Sequence, residues 1–233
     1  MVADSSPLAN GPLYVYGLCL SSDQPLDCPS GIEGEVTLVA MGDLAALVET
    51  GIDLEVIQAD HSRLLTAVLS HDRVLCHLFQ ETPLLPLRFG TQFPALEHLE
   101  AYLVQEQSAY RAKLTALADQ AEYQIKLIPA DLEPPPLPEG LKGREYFLAK
   151  KQRLQDQAQA QQQQQQERQA ILQTFATTYA HTLVDETNPE TKVYVLLPRS
   201  QQETLAQTLA QWQAQVPTWR MQMSEALPPY HFV

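Results

Sequence analysis

The segment Pro129-Ala130-Asp131-Leu132-Glu133-Pro134-Pro135-Pro136-Leu137-Pro138-Glu139-Gly140 holds five prolines. Each lacks an N–H donor and restricts the residue before it, so no helix and no central strand can run through. The fold has to be built on either side of this break. A length of 233 residues, at about 150 per domain, suits one large or two small domains. The expected division is an N-terminal α+β domain over 1–130, a linker over 131–140 and a C-terminal domain over 141–233. The last comprises a Gln-rich helical segment over 141–184, a strand-helix-strand unit over 190–227 and an apolar tail.

All nine glycines lie at or before Gly143, so the first part is rich in turns. Leu13 to Leu20 is β-rich and bounded by Pro12 and Ser21-Ser22-Asp23, which predicts a buried strand. Val36 to Met41 and Leu44 to Glu49 flank Gly42-Asp43, a hairpin with a two-residue turn. From Leu54 to Phe79, the residues Ile57, Leu64, Leu65, Val68, Leu75, Leu78 and Phe79 recur at helical spacing. Leu84 to Phe89 reads as a strand that Pro86 confines to an edge or bulge. Pro94 opens a second amphipathic helix with Leu96, Leu99, Leu103, Tyr110, Leu114 and Leu117. Tyr123 to Ile128 is expected to close this domain as a strand. The fold class is α+β: two domains, the first a ferredoxin-like open sheet with two helices covering one face.

Beyond Gly143 the chain is helix-permissive to about Leu183, with six consecutive glutamines from Gln161. At about 1.5 Å per residue this would be a ~60 Å rod, against a radius of gyration of about 17 Å for a compact chain of this length. The helix must break, fold back or project, with glutamine as its solvated face. Thr191 to Leu197, Gln201 to Gln213 and Thr218 to Met223 then read as strand, helix and strand.

Fifteen Lys+Arg against 28 Asp+Glu give a net charge of −13, which argues against nucleic acid. No apolar run is long enough for a membrane span, and Met1 to Ser6 lacks the pattern of a signal peptide. Three widely spaced cysteines, Cys19, Cys28 and Cys76, indicate neither a zinc knuckle nor a disulfide framework and fit a reducing, cytosolic setting. His61, His71 and His77 sit on one helix without an i, i+3 or i+4 pair, so no metal or other cofactor is expected. Cys76 and His77 point in different directions as helix neighbours, which argues against a nucleophilic pair. His61 and Asp72 fall beside the apolar positions Leu65 and Val68, and a buried carboxylate there would need Arg88 as an ion-pair partner. No nucleophile elbow, Gly-rich phosphate loop or paired acidic motif is present.

Five of the basic residues, Lys142, Arg144, Lys150, Lys151 and Arg153, fall between Leu141 and Leu154. They form either a solvated helix face or a dock for an acidic partner or for the protein's own acidic domain. The end of the chain, Pro228-Pro229-Tyr230-His231-Phe232-Val233, is apolar and aromatic; it either tucks back into the fold, the favoured reading, or offers Tyr230 and Phe232 as anchors to a partner.

Four of these blocks carry a resemblance. Tyr14-Val15-Tyr16-Gly17, Leu85-Pro86-Leu87-Arg88-Phe89-Gly90-Thr91 after a helix with His71-Asp72, Gly143-Arg144-Glu145-Tyr146 before a basic helix, and the terminal Pro228 to Val233 resemble the GvpF/GvpL family of gas vesicle proteins, GvpF more than GvpL. The family's last motif is usually introduced by Gly-Pro-Trp, where this chain has Glu225-Ala226-Leu227. The resemblance implies a minor, non-catalytic component needed for gas vesicle formation, partnered by the apolar shell protein GvpA and other accessory Gvp proteins. It implies a place in the cytoplasm during assembly and at the gas vesicle, with either a location on the gas-facing surface of the shell or action during nucleation. An acidic chain that repels its own copies is expected to be monomeric when purified and to cover an apolar shell subunit. The contact would be an apolar groove or strand addition at the edge marked by Pro86, with Leu87 and Phe89 beside it. The alternative is a ferredoxin-like small-ligand or enzymatic domain with a polar pocket around Arg88, His61 and Asp72; a third reading is a self-assembling structural module.

Overall fold

The computed structural model describes residues 11–22, 25–132, 134, 136–138, 140, 142–185 and 190–233. Met1 to Ser6, and Glu133, Pro135 and Glu139 of the linker, lie outside the described residues. The chain divides into two compact units, one running up to Glu122 and including Leu227–Val233, the other Tyr123–Ala226.

In the first unit, β1 (Leu13–Leu20) lies between β3 (Leu44–Thr50) and the short β4 (Leu84–Pro86), with β2 (Thr37–Met41) beyond β3 and β5 (Gln92–Phe93) also on β1. β2 and β3 form the expected hairpin, Met41 opposite Leu44. Its turn needs positive φ only at Gly42 (φ 61), the pattern of a type II′ turn with glycine first. Every residue of β1 but the last is buried. Such a run without polar alternation belongs to a strand covered on both faces, and it is. Leu13, Val15 and Leu18 pack with Leu99, Leu103 and Leu114 of α3 (Leu96–Ala116), while Tyr14 and Tyr16 turn toward α2 (His61–Phe79). A register shift between Val15 and Gly17 lets odd and even positions share the α3 face. The expectation of helices on a single face is corrected by this second layer.

The predicted helix from Leu54 is two helices. α1 (Leu54–Ala59) is capped by Asp53 and α2 by Asp60, whose side chain accepts from the Arg63 amide. The buried positions of α2 are Ala67, His71, Val74, Leu75, Leu78 and Phe79. Leu65, Val68 and Leu69 are exposed instead, so the inward face lies round the helix from where Leu65 and Val68 suggest.

In the second unit β6 (Gln120–Pro129) runs beside β9 (Trp219–Met223) and β8 (Thr191–Pro198), with β7 (Thr182–Asp185) at the far edge. With α4 (Gly143–Thr178) and α5 (Gln202–Gln213), the chain order is β-α-β-β-α-β, the ferredoxin-like order. That order was expected of the first domain; it arises here because β6, read as the last strand of one sheet, is the first strand of the next. The proline-rich segment therefore lies inside the second unit, between β6 and α4. α4 is one unbroken 36-residue helix. Its end is buried through Ile171 and Phe175, and Phe175 meets Trp212 edge-on at 5.0 Å. Glutamine is more than a solvated face: the Gln164 side-chain amide donates to Ala130 O at 3.0 Å and Thr218 O at 3.1 Å, and the backbone carbonyl of the same residue accepts from Trp219 Nε1 at 2.8 Å. Among the described residues no helix is long and apolar enough to cross a membrane.

Candidate functional site

Three of the four motif blocks converge in the first unit. His71, one-sidedly buried on α2, donates from Nε2 to Leu87 O at 3.2 Å. That bond leaves Nδ1 to accept the Tyr14 hydroxyl at 2.8 Å, and the Tyr14 oxygen accepts the Gly90 amide at 3.3 Å. Phe89 closes the group edge-on to Tyr14 and His71. Burial holds the imidazole below its ordinary pKa and pushes the Tyr14 and Tyr16 phenols up. The Tyr16 hydroxyl donates to Glu49, whose carboxylate is 1% exposed and also accepts the amides of Ile32 and Glu33, each at 2.8 Å. Every group here is spent on another group of the fold. The arrangement locks the Leu87–Thr91 loop to α2 and β1.

The expected Asp72–Arg88 pair does not form among the described residues. Asp72 sits on the outer side of α2, and both it and Arg88 are exposed. The Asp72 carboxylate accepts the Tyr230 hydroxyl at 2.5 Å, so its partner comes from the tail. Pro228 and Pro229 are buried, Leu227 pairs with Glu122, and Glu122, fully buried, accepts both the amide and the ring Nδ1 of His231 at 2.8 Å. The tail is tucked in, and Tyr230 is used internally; Phe232 is half-buried. Nothing local in the sequence signals the Glu122–His231 contact, because its members stand 109 positions apart.

Pro86 is buried, and Leu87 and Phe89 are half-buried against their own unit. β4 does lie at a sheet edge, as Pro86 implies, but it is three residues long and ends in a residue without an N–H, a poor template for an added strand. Among the described residues, three clefts of about 160, 280 and 400 Å³ are lined by other side chains than His61, Asp72 and Arg88. Burial pushes the Cys19 and Cys76 thiols up to about 11, leaving them protonated at neutral pH. Among the described residues, Asp27, His77 and Glu81 bring possible ligand atoms within 4.8 Å of one another. All three are exposed and already bonded together, His77 to Asp27 O at 3.0 Å and the Asp27 amide to Glu81 at 3.2 Å. Histidine spacing along α2 could not reveal this group, since its carboxylates come from a distant loop and from beyond the helix.

The first unit also leaves apolar side chains uncovered. Leu65, Val68 and Leu69, with Leu69 60% exposed, stand at helical spacing on the outer side of α2 and continue through Asp72 to Cys76. The far end of this row is covered by Tyr230; the near end is not. In the second unit Lys142, Arg144, Lys150 and Lys151 are exposed, and Arg153 donates to Pro134 O at 3.3 Å.

Comparison with known proteins places this architecture. The family described as "Gas vesicle synthesis protein GvpL/GvpF" matches residues 12–233. Gas vesicle protein F of Streptomyces sp. (strain CB03234) is 32% identical over 118 residues, which is 48% of this chain and 47% of that protein; the match thus spans about half of that relative's length. Crystal structures of GvpF from Microcystis aeruginosa and from Anabaena sp. PCC7120 share the fold, each with a TM-score of 0.67 over 95% of this chain. They cover 98% and 95% of those chains, at 18% and 15% identity. With a match that takes in both units and the tail, the chain belongs to the GvpL/GvpF family of gas vesicle synthesis proteins.

Proposed function

We propose that this protein is a non-catalytic accessory factor of gas vesicle formation that binds the apolar shell protein GvpA through the outer face of α2. The observation that carries the reading is the uncovered row Leu65, Val68 and Leu69 on an otherwise acidic chain. Isolated apolar side chains on a surface need no explanation, but a row at i, i+3 and i+4 offers the geometry with which one helix receives another. A shell subunit facing gas carries an apolar face that aggregates before assembly. A chain of net charge −13 can cover that face and stay dispersed by self-repulsion. The non-catalytic reading is supported by the same geometry: the buried imidazole, the Glu49 carboxylate and the two shifted thiols are all committed or protonated. On this reading the protein works in the cytoplasm and at the gas-facing side of the growing shell, together with other Gvp proteins.

The test is co-expression with GvpA, reading the soluble fraction of the shell protein. The intact chain is expected to raise that fraction several-fold, and L65D/L69D, with an unchanged melting curve, to abolish the gain. No gain with the intact chain overturns the proposal.

A further inference from the structure

We propose that the outward face of the first three turns of α4 is a docking site for an acidic amphipathic helix of another protein. Among the described residues, α4 is engaged by its own unit on one side. Arg153, Gln164, Ile171 and Phe175 mark that side, through Pro134, Thr218 and the core. At about 100° per residue, Arg144, Phe147, Lys151 and Leu154 fall together within about 80° of arc, turned away from it. Phe147 is 66% and Leu154 57% exposed, and Lys150 borders the same strip. Among the described residues no hydrogen bond or ion pair engages Arg144, Lys150 or Lys151. The strip is about 15 Å long, and its two large apolar side chains stand two helical turns apart, the spacing of i and i+7 anchors.

Charge decides what occupies it. Arg144 and Lys151 lie in the strip and Lys150 at its border, and between Lys142 and Leu154 the one acidic residue is Glu145. A basic strip in a chain of net charge −13 attracts acid at short range only, because screening cuts interactions off beyond about 8 Å. An anionic bilayer would face the whole acidic molecule and be repelled, and a second copy would meet the same net charge. A slender helix carrying apolar residues at i, i+3, i+4 and i+7, flanked by Asp or Glu, meets the strip alone and satisfies both its charge and its apolar anchors. The anchored far half of α4 holds the strip as a preformed surface, which lowers the ordering cost of binding. This inference does not rest on shell binding through α2, since it concerns a different surface on the other unit.

The probe is a fluorescein-labelled synthetic helix with leucine at every third or fourth position and glutamate between, titrated with the full-length chain by fluorescence anisotropy. Affinity is expected to fall at least about tenfold between about 50 and 300 mM salt, and by a similar factor in K150E/K151E and in F147S. Both variants alter exposed side chains, and circular dichroism checks that the helix persists. The K150E/K151E chain is expected to bind a lysine version of the probe better than the intact chain does. Four results would overturn the proposal: affinity unchanged by the variants, equal binding of the glutamate and lysine probes by the intact chain, co-sedimentation with phosphatidylglycerol vesicles without probe binding, and salt-sensitive self-association that K150E/K151E removes.

Discussion

Gly17 sits where β1 passes closest to its neighbours. A Cβ built there would stand 2.8 Å from Leu85 O and 3.1 Å from Leu75 Cδ2. The backbone oxygen cannot yield as a side chain can, so Gly17→Ala is expected to cost about 1–3 kcal/mol of stability, measured by urea unfolding. His71 carries a pH dependence of known sign. Burial depresses its native pKa below the ordinary 6.5, so below that pH the unfolded chain takes up a proton the native ring refuses. Its contribution is complete above about pH 7 and is lost as pH falls through 6.5 toward the native value. The stability difference between the intact chain and His71→Gln should therefore shift against the intact chain as pH falls from 7.5 to 5, as unfolding curves at each pH will show. The Tyr14, His71, Leu87 and Phe89 cluster was present in the sequence as separate blocks. Nothing in their spacing says that the imidazole bridges a tyrosine and a carbonyl, because such bonds are settled by which elements pack together.

At the scale of elements, Asp60 does two things at once. It ends α1, its amide donating to Ile57 O at 3.3 Å, and it starts α2 by accepting the Arg63 amide at 2.9 Å. Asp60→Ala leaves a helix N-terminus uncapped and is expected to lower stability by about 1 kcal/mol, visible as a shifted thermal midpoint. The residues between Leu54 and Phe79 are all helix-permissive, which is why they suggest one helix; the break depends on the cap. The phase of α2 is hidden for a similar reason. Leu65 and Val68 are as apolar as Val74 and Leu78, and the sequence does not state which side meets the sheet. By contrast, α3 is legible: Leu99, Leu103 and Leu114 are buried as their spacing implies, because the opposite face is crowded with charged and amide side chains. The same contrast explains α4. Glutamine tolerates both water and a carbonyl partner, so Gln164 gives no sign in the sequence that it stitches the helix to Ala130 and Thr218.

For the molecule as a whole, the boundary between units decides what cutting the chain would do. The proline-rich segment joins β6 to α4 within one unit, and the glutamine run is helical. Limited proteolysis with elastase is expected to cut between Ala130 and Lys142 and to spare Gln161 to Gln166. The two fragments should remain together on a sizing column, because β6 keeps its place beside β8 and β9. Separation of the fragments without denaturant would contradict that topology. Elements whose signals are local are legible residue by residue: the buried strand β1, the hairpin turning at Gly42, the Leu-rich face of α3, the proline break and the α+β class. The family motifs are legible in the same way. Long-range packing alone puts β6 in the second sheet, covers β1 on both faces, and returns the tail to the outer side of α2 and to Glu122. Local signals arise from backbone preferences and side-chain periodicity, which act over a few residues. Sheet membership and tail docking depend on contacts between residues far apart in the chain, whose free energy exists only once the surfaces have met.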